Sequence, residues 1–145
     1  MSTFSRSEEN VKNSPLSKSE VKALWKEFKK SRKAQTLALN HQQSMETQAL
    51  KSLQAHHYKE WDTNEREARH KFFKENLKGS NRRAYVQDFI QRREGFLKLI
   101  KEERALRLKE QEVRRNSLKA ELDEKEKKFK ELLDKNERPP NALWP

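Results

Sequence analysis

From Leu16 to Arg138 the chain contains no proline and only two glycines, Gly79 and Gly95. These are the residues that stop or weaken a helix, and the stretches between them are rich in Ala, Leu, Lys, Glu, Arg and Gln, so extended helix is favoured over sheet. Only 32% of the residues are apolar and 39% are charged. That is too little apolar side chain to fill a rounded core, so an enclosed enzyme pocket is not expected. Composition alone does not separate long helices from disorder; the spacing of the apolar residues does.

Residues 1–16 are polar, rich in Ser and Asn, and read as a disordered N-terminal tail. Ser17 with Glu20 three residues on fits a capping box, and Val21, Leu24 and Phe28 then begin an apolar stripe. The first arm therefore spans 17–78. Lys78-Gly79-Ser80-Asn81 supplies a C-terminal glycine and cap candidates for a second helix. The turn is placed at 79–81 and the second arm at 82–137. Arg138-Pro139-Pro140 stops it, and 138–145 form a Pro-rich C-terminal tail.

Arms of about 55 to 60 residues would be roughly 85 to 90 Å long. Helices of that length persist in water by burying a seam, and the nearest partner for each arm is the other. Phe28, Leu39, Leu50, Trp61 and Phe72 recur every 11 residues, as do Phe89, Ile100, Gln111, Leu122 and Leu133. An 11-residue repeat gives about 3.67 residues per turn and a nearly straight pairing. The expected fold is an all-α, long antiparallel two-helix hairpin, a coiled coil with a hendecad-like seam and disordered termini.

Folding at Gly79 sets Phe72 and Phe73 against Val86 and Phe89, and Trp61 near Phe96, Leu97 and Ile100. The same register brings Leu39 near Leu118 and Leu122, and Leu24, Trp25 and Phe28 near Phe129, Leu132 and Leu133. Residues 101–117 offer few apolar side chains, so that stretch is expected to be the loosest part or the part that needs another molecule. Leu99, Leu106 and Val113 form a second line at heptad spacing, suited to a partner or to a homodimer.

The charge is strongly one-sided: 34 Lys and Arg against 23 Asp and Glu, a net charge of +11. Such a chain is drawn to polyanions, whether nucleic acid, acidic lipid or an acidic protein. There is no cysteine, which excludes disulfides and thiolate metal sites and fits a reducing compartment. The N-terminus lacks the apolar run of a signal peptide, and no window approaches the about 18 apolar residues of a membrane span. A cytoplasmic location is expected.

The four histidines, His41, His56, His57 and His70, include no i, i+4 pair, and His56 with Glu60 falls short of the ligand set a transition metal needs. No glycine-rich phosphate loop, G-x-S-x-G turn or H-E-x-x-H helix is present. Neither enzymatic activity, nor a cofactor, nor a metal site is expected.

The basic clusters are the better candidates. Lys26, Lys29, Lys30, Arg32 and Lys33 wrap one end of the first helix. Arg82, Arg93, Arg104 and Arg115 repeat every 11 residues along the second, with Arg83, Arg92 and Arg114 beside them. Four arginines at that step form one stripe roughly 50 Å long, suited to tracking a phosphate backbone. The competing reading is that they flank the seam and pair with acids of the first arm, Glu67 opposite Arg93 and Glu46 opposite Arg115. Trp25, Trp61, Phe72, Phe73, Phe89 and Phe96 sit at seam spacing and read as core. Trp144 lies outside any helix and either folds back near Trp25 or acts as a docking peptide.

Ala23-Leu24-Trp25-Lys26-Glu27-Phe28, His57-Tyr58-x-x-Trp61 with Glu67-Ala68-Arg69, and the turn from Lys78 to Tyr85 resemble the helical region downstream of the nuclease domain in conjugative and mobilisation relaxases. The likeness spans about residues 21–110. It implies a DNA-processing setting, with DNA before RNA as the nucleic acid. The catalytic tyrosine motif and three-histidine metal cluster of those enzymes have no counterpart in this chain, so the resemblance implies a detached accessory version. Tyr85-x-x-x-Phe89-Ile90 followed by a long charged helix is also similar to the coiled-coil stalk proteins of flagellar and type III export systems.

Two functions follow as expectations. One is a non-enzymatic basic accessory protein that binds nucleic acid or a nucleoprotein complex in plasmid mobilisation or conjugation. The other is a protein–protein scaffold or export stalk, with Leu99, Leu106, Val113 and Trp144 as the docking residues.

Overall fold

The computed structural model describes residues 15–145. Nearly all of them lie in two helices, α1 (Lys18–Glu75) and α2 (Gly79–Asp134), followed by a short 3-10 turn at Asn141–Leu143. The helices pair antiparallel, as the hendecad spacing predicts, and the fold is an all-α helical hairpin. The chain divides into two compact units.

The first unit comprises 15–41 and 113–145 among the described residues. α1 starts where the capping box places it: the Glu20 amide donates to Ser17 Oγ at 3.2 Å, and the Ser17 hydroxyl donates to Glu20 Oε1 at 3.1 Å. Leu16, assigned to the tail from sequence, is instead buried beside Val21. It precedes the cap and packs on the next turn, as a hydrophobic staple does. The rest of the proposed N-terminal tail, 1–14, lies outside the described residues.

α2 ends three residues earlier than the proline pair alone suggests. Asn136 adopts a left-handed backbone with φ of 58°. Its amide donates to Leu133 O and the Glu137 amide donates to Leu132 O, both at 2.9 Å. That is a Schellman cap with asparagine in the glycine position. The C-terminal segment is not a free tail: Pro139 is buried, and Trp144 packs edge-on against Phe129 with ring centroids 4.8 Å apart. Phe28 and Phe129, both 0% exposed, are the centre of this unit.

The second unit comprises Gln42–Glu112. The turn occupies 76–78, not 79–81. Gly79 opens α2 with an ordinary negative φ, so it does not cap α1 as expected, and Ser80 and Asn81 fall inside the first turn of α2. The reason is a bond from across the turn. Arg82 donates from Nε to Asn76 O and from Nη2 to Phe73 O, each at 2.9 Å. Its guanidinium thus takes the terminal carbonyls of α1 that a glycine motif would otherwise satisfy.

The earlier turn shifts the register. Phe72 stacks on Tyr85 at 4.7 Å, while Trp61 meets Phe96 as expected, at 5.1 Å, and also stacks on Phe89 at 5.8 Å. Residues 101–112 are continuous helix, held in part by the hydrogen bonds of Gln111. Gly95 sits exposed on α2 with nothing near the position a Cβ would take. Gly95→Ala should therefore stabilise the protein by about 0.5–1 kcal/mol, read as a higher urea midpoint.

Candidate nucleic-acid interface

The two basic clusters proposed from sequence have different surroundings. In the first unit Lys26, Lys29, Lys30 and Lys33 are exposed on α1, and Lys22 extends the row toward the helix start. Lys22, Lys26, Lys29 and Lys33 are spaced by four, three and four residues, and Lys30 lies four after Lys26 and three before Lys33, which keeps all five on one helical side. The Lys29 ammonium lies 5.0 Å from the Trp25 ring centroid, a cation–π contact that fixes its stem. From Lys18 to His41 the helix carries only Glu20 and Glu27 as acids.

Arg32 belongs to a different side. It is half-buried and donates to Glu126 Oε2 at 3.0 Å and to Asp123 Oδ1 of α2. A planar guanidinium spanning two carboxylates is held in place and has little charge left for an outside anion.

In the second unit most of the arginine stripe is likewise engaged within the protein. Arg82 caps α1 and lies over the Phe73 ring at 5.2 Å. Arg83 donates to Gly79 O at 3.3 Å. Arg92 makes a bidentate pair with Glu65 at 3.0 and 2.9 Å, and the hydrogen bond to that carboxylate holds the guanidinium above its ordinary range. Arg93 donates to Tyr58 Oη at 3.4 Å, a bond that raises its own range, and Arg104 donates to Gln54 Oε1. The expected Glu67–Arg93 pair is therefore replaced by Glu65–Arg92, as the shifted register requires. In the first unit Arg114 is also engaged, and Arg115 is exposed.

Arg32, Gln43, Gln54 and Glu65 recur every 11 residues along α1, and the same step ends on Asn76 just past it; of these, sequence reading named only Arg32, and as a binding residue. The first four bond across the seam, and Asn76 bonds the end of its own helix. Gln43 Nε2 donates to Gln111 O at 2.9 Å, Gln54 Nε2 donates to Ile100 O at 3.2 Å, and Asn76 Nδ2 donates to Phe72 O at 3.1 Å. This line runs beside the apolar line and has the same period, so the signal was present. Counting apolar residues alone hides it. Among the described residues no buried side-chain nitrogen or oxygen lacks a partner.

Of the four proposed docking residues, Leu99, Leu106 and Val113 are exposed at 65%, 58% and 67%. Trp144 is not available in the same way. Its ring packs on Phe28 and Phe129, so the fold-back reading replaces the docking-peptide one: an indole beside two phenylalanines is worth more there than in water.

Among the described residues no three His, Asp or Glu side chains gather to hold a metal ion, and no helix is long and apolar enough to cross a membrane. His56 pairs with Glu60 at 3.0 Å on the same exposed face. Comparison with family models, curated proteins and solved structures returns no match.

Proposed function

We propose that the chain is a non-enzymatic, basic helical accessory protein that binds nucleic acid through the lysine face of α1 in its first unit. The observation that carries this reading is the contrast between the two clusters. Arg32 and Arg92 are paired with Asp123, Glu126 and Glu65, and Arg82 and Arg83 bond backbone carbonyls, whereas Lys26, Lys30 and Lys33 stand exposed on one side with few acids near them in sequence. Flexible, hydrated ammonium groups suit a sequence-independent hold on phosphates, which is salt-sensitive by nature. The likeness to relaxase helical regions favours DNA as the polyanion and plasmid mobilisation or conjugation as the setting.

The test is an equilibrium titration against single- and double-stranded DNA at low and physiological salt, with dextran sulfate as a control. Lys26→Glu, Lys30→Glu and Lys33→Glu together should weaken DNA binding at least tenfold and flatten the log–log salt slope by about 2 to 3, near one unit for each lysine–phosphate pair removed. A triple variant with unchanged slope and affinity would remove the face from the proposal.

The scaffold or export-stalk reading draws support from the exposed apolar residues of α2. It predicts that the same triple variant leaves partner capture intact.

A further inference from the structure

We infer that the second unit carries a docking groove for an acidic amphipathic helix of a partner protein, independently of the lysine face. Val86, Ile90, Leu97 and Leu108 follow one another on α2 by four, seven and eleven residues, which places them on one side of the helix. They are 38%, 48%, 40% and 56% exposed. The intervening positions on that side are Arg93, Glu94, Lys101 and Arg104, three cations against one acid.

A shallow groove runs beside this line. It is lined by Leu97, Ile100, Lys101 and Arg104 of α2 and by Gln54, Ala55 and Tyr58 of α1. Arg93 and Arg104 are steadied by their bonds to Tyr58 and Gln54, so the positive edge of the groove is ordered before anything binds. Pre-organised cations lose less freedom on binding than free ones.

The chemistry selects the occupant. Apolar side chains at helical spacing are met best by another helix with apolar residues at the same spacing, the mode by which amphipathic helices enter grooves. Arginine and lysine along the edge call for Glu or Asp on the flanks of that helix. A second copy of this chain fits poorly, because pairing the strip with itself sets Arg93, Lys101 and Arg104 against like charge. A phosphate backbone would gain nothing from Ile90 or Leu97.

The experiment uses the full chain and a fluorescein-labelled synthetic peptide of about 21 residues, long enough for some six helical turns. Leucines at i, i+4, i+7 and i+11 are flanked by glutamates, and a scrambled peptide of equal composition is the control. The expected result is micromolar binding, at least tenfold weaker for the scramble. Ile90→Gln with Leu97→Gln should weaken it at least tenfold while leaving the thermal midpoint within a few degrees, since both side chains are exposed. Lys101→Glu should weaken the glutamate peptide and strengthen a version in which lysines replace the glutamates. Equal binding of peptide and scramble, or no effect of the variants, would overturn the assignment. So would displacement of the peptide by a DNA duplex in the Lys26, Lys30 and Lys33 triple variant, or a dimer in sedimentation that Leu97→Gln abolishes.

Discussion

Phe129→Ala is expected to cost about 3–5 kcal/mol of stability, the range for deleting a fully buried phenylalanine. Phe129 is 0% exposed, lies 4.4 Å from the Phe28 ring centroid and supports both Trp25 and Trp144. Leu16, Phe28 and Leu133 are buried with it in one cluster, so its loss opens a cavity at the centre of the unit. Phe129→Leu should cost less, about 1–2 kcal/mol, because it keeps most of the volume. Urea unfolding followed by tryptophan fluorescence measures both. Trp61→Phe in the background leaves Trp25 and Trp144 as reporters of this cluster. A loss below about 1 kcal/mol for the alanine variant would show that the aromatic cluster does not hold the unit together.

The second large effect is at the amide rung of the other unit. Gln111 is 5% exposed and donates to Gln43 O and Thr47 Oγ1, each at 3.0 Å, while Gln43 is 4% exposed and donates back to Gln111 O. Gln111→Leu should cost about 1–3 kcal/mol, because polar groups remain buried opposite an apolar side chain. Each glutamine donates to the other's main-chain carbonyl, which both substitutions leave in place, so Gln43→Leu with Gln111→Leu should cost about the sum of the two single losses. The double-mutant cycle measures this additivity. A double variant no less stable than either single one would show that the two glutamines act as a pair. The double variant should also show a second pairing register in NMR spectra, because an apolar seam with an 11-residue period tolerates a slip that a polar rung resists.

What was legible in the sequence was whatever rests on local spacing. Ser17 and Glu20 mark the start of α1, the five apolar residues from Phe28 to Phe72 mark its seam, and Arg138-Pro139-Pro140 brackets the end of α2. Nonlocal contacts were not legible. The turn sits at 76–78 because Arg82 reaches back to Asn76 and Phe73, and nothing in Lys78-Gly79-Ser80-Asn81 announces that. Asn136 caps α2 where glycine would be the usual marker. Leu16 and Trp144 resembled tail residues because each lies beyond a helix, yet both meet Phe28 and Phe129. For the candidate interface, the sequence supplied both basic clusters. Only the geometry distinguished lysines open to solvent from arginines already paired.

The Leu16 amide donates to Asn136 O at 3.1 Å, joining the residue before the α1 cap to the residue that caps α2. A pair of helices normally frays from its open end, where terminal turns have neighbours on one side only. Here that end is fastened by a staple, a left-handed asparagine, a shared backbone bond and an indole laid across two phenyl rings. Melting that begins by unzipping from the chain termini must break all four together, so in the first unit the ends of the helices are among its last parts to exchange their amide protons with solvent.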